Sequence, residues 1–168
     1  MMMKNALTAQ LGNLILGIDH VAIAVEDIDA SIAHYSSALG FSLLDRSEVN
    51  GDHTGMVYAV LKSGSATVVL VQGTSPESQV SKFLAAFGTG MHHIAFSVSD
   101  LDAALAKVRE AGGKNDTPVI SDDGIRQTFL QRDPATGVRI ELIERTDAPF
   151  SEKNVEGLFR ALEARDLY

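Results

Sequence analysis

The sequence predicts an α+β fold in which two tandem βαβββ modules form a curved mixed sheet around a central cavity, closed by a C-terminal helix. Three observations predict it. "GIDHVAIAVEDIDA" (17–30) and "GMHHIAFSVSDLDA" (90–103) align without a gap, so the chain carries an internal repeat. Each copy reads as a strand running into a helix, and β-type segments follow each helix. A single such unit leaves one face of its sheet bare, so two must pair to bury it.

The first strand alternates, with Val21, Ile23 and Val25 on one face and His20, Ala22 and Ala24 on the other. In the second copy Ile94, Phe96 and Val98 oppose His93, Ala95 and Ser97. The bulky face suits packing under a helix, and the face of small residues and histidine suits a cavity wall. Asp27 and Asp100 stand where helix N-caps belong, their carboxylates able to accept from first-turn N–H groups. Ile28, Ile32, Tyr35 and Leu39 follow at helical spacing and Gly40 ends the run; Leu101, Leu105, Val108 and Gly112 repeat the pattern.

The β-type segments are "FSLLDRSEV", "GMVYAVLKS" and "ATVVLVQG" in the first module. In the second they are "KNDTPVIS", "IRQTFLQRD" and "GVRIELIER", with a turn at "DPATG". A short helix around 79–87 joins the modules and an amphipathic "SEKNVEGLFRALEARDL" closes the chain. The expected organisation is one structural domain. It comprises an N-terminal extension (1–16), module one (17–76), a linking helix (77–88), module two (89–146) and a closing helix (147–168).

The 168 residues carry 22 acidic against 14 basic side chains, a net charge of −8, which argues against nucleic acid or an anionic membrane as partner. Cysteine is absent, which excludes disulfides and thiolate metal sites and leaves His, Asp and Glu as ligands. The N-terminal "MMMKNALTAQLGNLILG" is too weakly apolar for a secretory signal, and no segment has the apolar length of a membrane span. A cytoplasmic protein is expected.

Aligning the last strand of each module puts "RIELIE" over "TVVLVQ", so Glu141 falls on Val69 and Glu144 on Gln72. Glu141 faces away from the packing side, as His20 and His93 do. Two imidazoles and one carboxylate thus converge on one cavity wall, while the fourth equivalent corner is a valine. Two His and one carboxylate with open positions is the arrangement of a non-haem Fe(II) oxygenase. Strict alternation sends His92 to the opposite face, towards backbone or solvent. His34 and His53 read as solvated, and Gln72 would reach the site only if a bulge turned it inward.

These residues resemble the vicinal-oxygen-chelate superfamily, built from paired βαβββ modules. Within it, the chain resembles the C-terminal, iron-binding half of the 4-hydroxyphenylpyruvate dioxygenase and 4-hydroxymandelate synthase family. It rests on "GIDHVAIAV", "SQVSKFLAAFGTGMHHIAFSVSDLDAAL", "RIELIER" and the tail "PFSEKNVEGLFRALE". The resemblance implies His20, His93 and Glu141 as iron ligands, and Gln79 and Gln127 as the glutamines at the substrate. Phe150 and Asn154 match the aromatic residue and the asparagine at the start of the closing helix. The chain departs from that pattern at Tyr58, Val71, Arg139 and Val155, which implies a rebuilt substrate pocket. Arg139, on the face of Glu141, is expected to pair with that carboxylate, grip an anionic substrate group, or run out along the strand edge.

The donor set predicts an Fe(II)-dependent oxygenase acting with O2 on a small chelating acid such as a 2-oxo acid, another divalent metal being an alternative. The resemblance implies oxidative decarboxylation with hydroxylation of the same molecule. The superfamily likeness also implies a homodimer. Two other readings stand beside it: a metal-dependent epimerase or lyase resembling methylmalonyl-CoA epimerase, and a metal-free protein that sequesters a ligand, as resistance proteins of this fold do.

Overall fold

The structure, a computed structural model, describes residues 12–168; residues 1–11 of the expected N-terminal extension lie outside them. Module one runs β1 (Ile15–Ala24), α1 (Ile28–Leu39), β2 (Ser42–Asn50), β3 (Gly55–Ser63) and β4 (Ala66–Gly73). Helix α2 (Gln79–Phe87) leads to β5 (Gly90–Val98), α3 (Leu101–Glu110), β6 (Ile120–Asp122), β7 (Ile125–Phe129) and β8 (Arg139–Arg145). Helix α4 (Glu152–Glu163) ends the chain. The expected "KNDTPVIS" strand is shorter than its sequence pattern, a three-residue β6 preceded by the isolated bridge Asn115–Leu130. Pro118, which has no N–H to give a ladder, stands between the two pieces.

The eight strands form one mixed sheet in the order β2-β3-β4-β1-β5-β8-β7-β6. Each module places its first and last strands side by side and parallel, β1 with β4 and β5 with β8. The modules join through the antiparallel pair β1–β5. The seam preserves the repeat: His20 pairs with Ala95 and Ala22 with His93, while Ala22 faces Val69 and Ala95 faces Glu141 on the outer strands.

Helix starts and stops follow the repeat too. Asp27 accepts from Ala30 N and Asp100 from Ala103 N, both at 2.9 Å. Gly40 ends α1 in the left-handed region at φ 71°, where a side chain would be strained. On one sheet face Ile28 packs on Val25, Leu61 and Leu70, and Leu101 and Leu105 pack on Val98 and Leu142. The other face carries Ala22, Ala24, Tyr58, Val69 and Val71, covered by Phe83 of α2 and Phe159 of α4.

Helix α4 lies over the cavity with Val155, Leu158, Phe159 and Leu162 turned inward, an i, i+3, i+4, i+7 face. Burying Phe159 alone contributes about 2–3 kcal/mol. Its last residue, Glu163, clasps the β2–β3 loop of module one, accepting from Asp52 N (2.6 Å), Thr54 N (2.7 Å) and Thr54 Oγ1 (2.6 Å). Those hydrogen bonds outweigh the cost of burying the carboxylate and hold its pKa below the usual range.

Candidate metal centre

His20, His93 and Glu141 come together in the cavity, all three buried, with one ligand atom of each inside a 4.8 Å cluster. His20 Nε2 lies 3.3 Å from His93 Nε2, and Glu141 Oε2 lies 3.5 and 3.1 Å from them. An ion about 2.1 Å from each donor, with angles between 90° and tetrahedral, requires separations of about 3.0 to 3.4 Å. Two of the three separations fall in that range and the third, at 3.5 Å, lies just beyond it. Glu141 Oε1 is buried without a hydrogen-bond partner among the described residues, a cost that an ion at the carboxylate would offset. The donor set therefore fits a divalent metal. Small Ala22 and Ala95, both fully buried, leave the imidazoles their room on the neighbouring strand.

Two β-bulges shape the site. The β1–β5 ladder passes from Ile18–Phe96 to His20–Ala95 and from Ala22–His93 to Ile23–Met91, so Asp19 and His92 are both skipped. A bulge interrupts alternation and bends the strand at the extra residue. Each skipped side chain therefore turns beside the histidine that follows. Asp19 Oδ1 accepts from His20 Nδ1 at 2.8 Å, and His92 Nδ1 lies 2.9 Å from His93 Nδ1. Such partners fix the tautomer that presents Nε2 to a metal. The expectation that His92 faces backbone or solvent is thus corrected: it is buried, edge-on to Phe83 at 4.9 Å, and lines the cavity. The signal was in the repeat, where a polar residue precedes each candidate ligand.

The electrostatics follow from this geometry. Burial opposes charge on His20, but its bonds to Asp19 and Glu141 outweigh burial and raise the imidazole to about 9. Burial likewise opposes charge on Glu141, yet its bonds to His20 and His93 pull it down to about 2. Burial lowers His93, and lowers His92 well below the ordinary histidine range, with His93, Arg132 and Arg139 adding to the effect on His92.

The cavity, about 70 Å3, is mainly apolar. Gln79, Gln127, Tyr58, Val71 and Phe150 all line it, as does Val69 at the fourth corner. Gln79 Oε1 is buried there with no partner among the described residues. Burial, aided by Asp45 and opposed by Ser47, raises Tyr58 to about 12, so it is a neutral phenol donating to Asp45 at 3.1 Å. Phe150 packs edge-on to His20 at 5.0 Å and Phe129 to His93 at 4.8 Å.

Two expectations are corrected here. Arg139 is buried but turns away from Glu141 and the cavity; its guanidinium pairs with Asp116 and donates to Leu130 O. Two residues along the strand carry it past the cavity to the chain entering β6. Asn154 does not line the cavity either: its amide donates to Ile125 O (3.1 Å) and Asp122 O (3.4 Å), tying α4 to the β6–β7 turn. Gln72 stays out of the site, in line with the alternation of its strand: its Oε1 accepts from Ile28 N at 2.8 Å, and its repeat partner Glu144 accepts from Leu101 N at 2.6 Å. His34 and His53 are exposed, as expected.

Fold and site together define a member of a metal-site superfamily of paired βαβββ modules. The chain belongs to the glyoxalase/bleomycin resistance protein/dioxygenase superfamily, whose family model matches residues 17–142. Among solved structures, a mutant of 4-hydroxymandelate synthase from Streptomyces coelicolor covers 91% of the chain with a TM-score of 0.81 at 21% identity, a likeness of fold. The chain spans 56% of that protein. Methylmalonyl-CoA epimerase from Mycobacterium tuberculosis covers 81% of the chain at 33% identity and a TM-score of 0.67, and the chain covers 91% of it. Among curated relatives, the ethylmalonyl-CoA/methylmalonyl-CoA epimerase of Cereibacter sphaeroides is 30% identical over 74% of this chain and 95% of its own. Among the described residues no helix is long and apolar enough to cross a membrane.

Proposed function

We propose that the protein is a non-haem Fe(II)-dependent oxygenase that acts on a small chelating 2-oxo acid by oxidative decarboxylation and hydroxylation. The observation that carries this reading is the donor set: His20, His93 and Glu141 gather at metal-binding spacing while Val69 leaves the fourth corner empty of a donor. Three ligands on one side of an ion leave positions for a bidentate acid and for O2, and a bound Fe(II) would supply the redox chemistry.

The chain's own residues do the rest. Asp19 and His92 hold the two imidazoles with Nε2 inward. Gln79 and Gln127 offer amides to the polar atoms of the substrate from the cavity wall. Val69, Val71 and Phe150 keep bulk water out together with Phe159, which comes from the covering helix α4. The neutral Tyr58 phenol closes the module-one side without adding charge. A homodimer is the working unit we infer from the family, checked by light scattering of the purified protein.

The experiment is anaerobic loading with Fe(II), followed by a panel of 2-oxo acids. O2 consumption matched by CO2 release, lost in His93→Ala and Glu141→Ala, supports the proposal. Turnover indifferent to O2 sinks it.

A second reading, a metal-dependent epimerase, is favoured by the 30–35% identity to acyl-CoA epimerases. Against it, Glu141 is the only carboxylate among the cavity-lining described residues, and it belongs to the donor set. Glu48 and Asp52, on and just after β2, are exposed outside the cavity, and Asp52 pairs with Arg160. Solvent deuterium entering the α-carbon of methylmalonyl-CoA without O2 would establish this reading instead. The metal-free reading is disfavoured by retention of all three donors; a protein that binds no divalent ion by calorimetry would restore it.

A further inference from the structure

Behind His20 the side chains close into a ring. Asp19 Oδ1 accepts from His20 Nδ1 and also from Arg145 Nη2, at 2.7 Å. The Arg145 guanidinium lies over the Phe150 ring, 4.6 Å from its centroid, and Nη1 donates to Ala148 O at 3.0 Å. Phe150 comes back edge-on to the His20 imidazole. One guanidinium plane thus serves a carboxylate, a carbonyl and an aromatic face at once, a combination lysine cannot reproduce.

This ring stands on a boundary. Outside it lies a groove of about 790 Å3 whose walls include Leu16, Ile18, Leu44 and Lys62 as well as Asp19 and Arg145. Among the described residues, Phe150 alone belongs to the walls of both the groove and the metal cavity. It sits in the irregular stretch between β8 and α4, where Asp147 adopts φ 45°, so its backbone is not pinned by a sheet ladder.

We propose that Arg145 is a positioning residue that makes two things one event: the aim of His20 and the closing of the Phe150 wall. The groove is then the route by which a metal ion and a small chelating acid reach the site. This rests on the metal reading above, though not on the oxygenase assignment. Asp19 without Arg145 is free to rotate away from His20, and Phe150 without Arg145 loses the flat cation that holds it against the imidazole.

The test uses the full chain charged with Co(II), with the metal affinity measured by competition and its extraction by EDTA followed in the visible spectrum. Arg145→Met is expected to weaken the affinity about tenfold or more and to speed extraction. Arg145→Lys keeps a cation on Asp19 but has no plane to lay on Phe150, so it restores the affinity and not the slow exchange. Phe150→Ala is expected to speed both uptake and extraction about tenfold, because a removed wall lowers the barrier in both directions. Extraction from Phe150→Ala at the unaltered rate overturns the route. Unaltered affinity in Arg145→Met overturns the positioning role. Should Arg145→Met fail to fold, the lysine and alanine variants still decide. If the unaltered chain takes up no Co(II), the metal reading itself falls and the proposal with it, a result distinct from either failure above.

Discussion

Asp19 and His92 occupy the same position in the two modules, one residue ahead of His20 and His93, and each meets the Nδ1 of the histidine that follows. One is an anion and the other a neutral ring, so the two candidate ligands are supported by unlike partners. The neutral partner can be replaced by another neutral acceptor. His92→Gln is expected to keep metal affinity within a few fold, while His92→Phe lowers it about 10–100-fold. Titration calorimetry with Mn(II) reads both. Equal affinity in the phenylalanine variant would remove His92 from the support of the site.

The metal-free site has a defined protonation at neutral pH: His20 charged, Glu141 ionised and His93 neutral. A metal ion can bind only by displacing the proton of His20. Affinity should therefore rise about tenfold per pH unit between 7 and 9, then level off, with about one proton released per ion. Calorimetry in two buffers of different ionisation enthalpy counts that proton. The same shift fixes the sign for stability. A pKa raised from 6.5 to about 9 stabilises the metal-free fold fully below 6.5 and is lost as the pH climbs through 9. The melting temperature of the metal-free protein should fall over that window.

Val69 is the position at which the repeat departs from a symmetric four-donor site. Val69→Glu puts a carboxylate opposite Glu141 and is expected to retain metal while abolishing 2-oxo-acid-dependent O2 uptake, because a coordination position is consumed. An oxygen electrode and metal analysis of the same preparation check it.

Asn154 and Gln127 separate structure from substrate. Asn154→Ala removes the bonds to Ile125 O and Asp122 O, and should destabilise the fold by about 1–3 kcal/mol with KM unchanged. Gln127→Ala, at the cavity wall, should raise KM with little change in urea midpoint. A reversal of the two outcomes would return Asn154 to the substrate.

Most of the fold was legible because the repeat shows the same alternation twice. Val21, Ile23 and Val25 match Ile94, Phe96 and Val98, and Asp27 and Asp100 cap their helices as their spacing predicts. The three-donor cluster was legible for the same reason, since alternation and the repeat point His20, His93 and Glu141 one way. Alternation failed where the ladder bulges, because an inserted residue leaves no mark in the apolar pattern; His92 was therefore put on the wrong face. Arg139 shows a second blind spot. Period-two reasoning assigns a face, but not how far along the strand the cavity extends, nor that Asp116 waits beyond it. Gln72 and Glu144 show a third, for their contacts to the first-turn N–H groups of α1 and α3 cross from sheet to helix, a relation no local spacing encodes.

The valine at the fourth corner has a further consequence. Module two supplies His93 and Glu141, and module one supplies His20 and the vacancy at Val69, flanked by Tyr58 and Val71. The duplicated halves are thus unequal: module two brings two of the three candidate donors, and module one brings one donor together with the donor-free corner. Substitutions at Tyr58 on β3, or at Val69 and Val71 on β4, would reshape that side of the cavity while leaving β5 and β8, and the donors they carry, untouched.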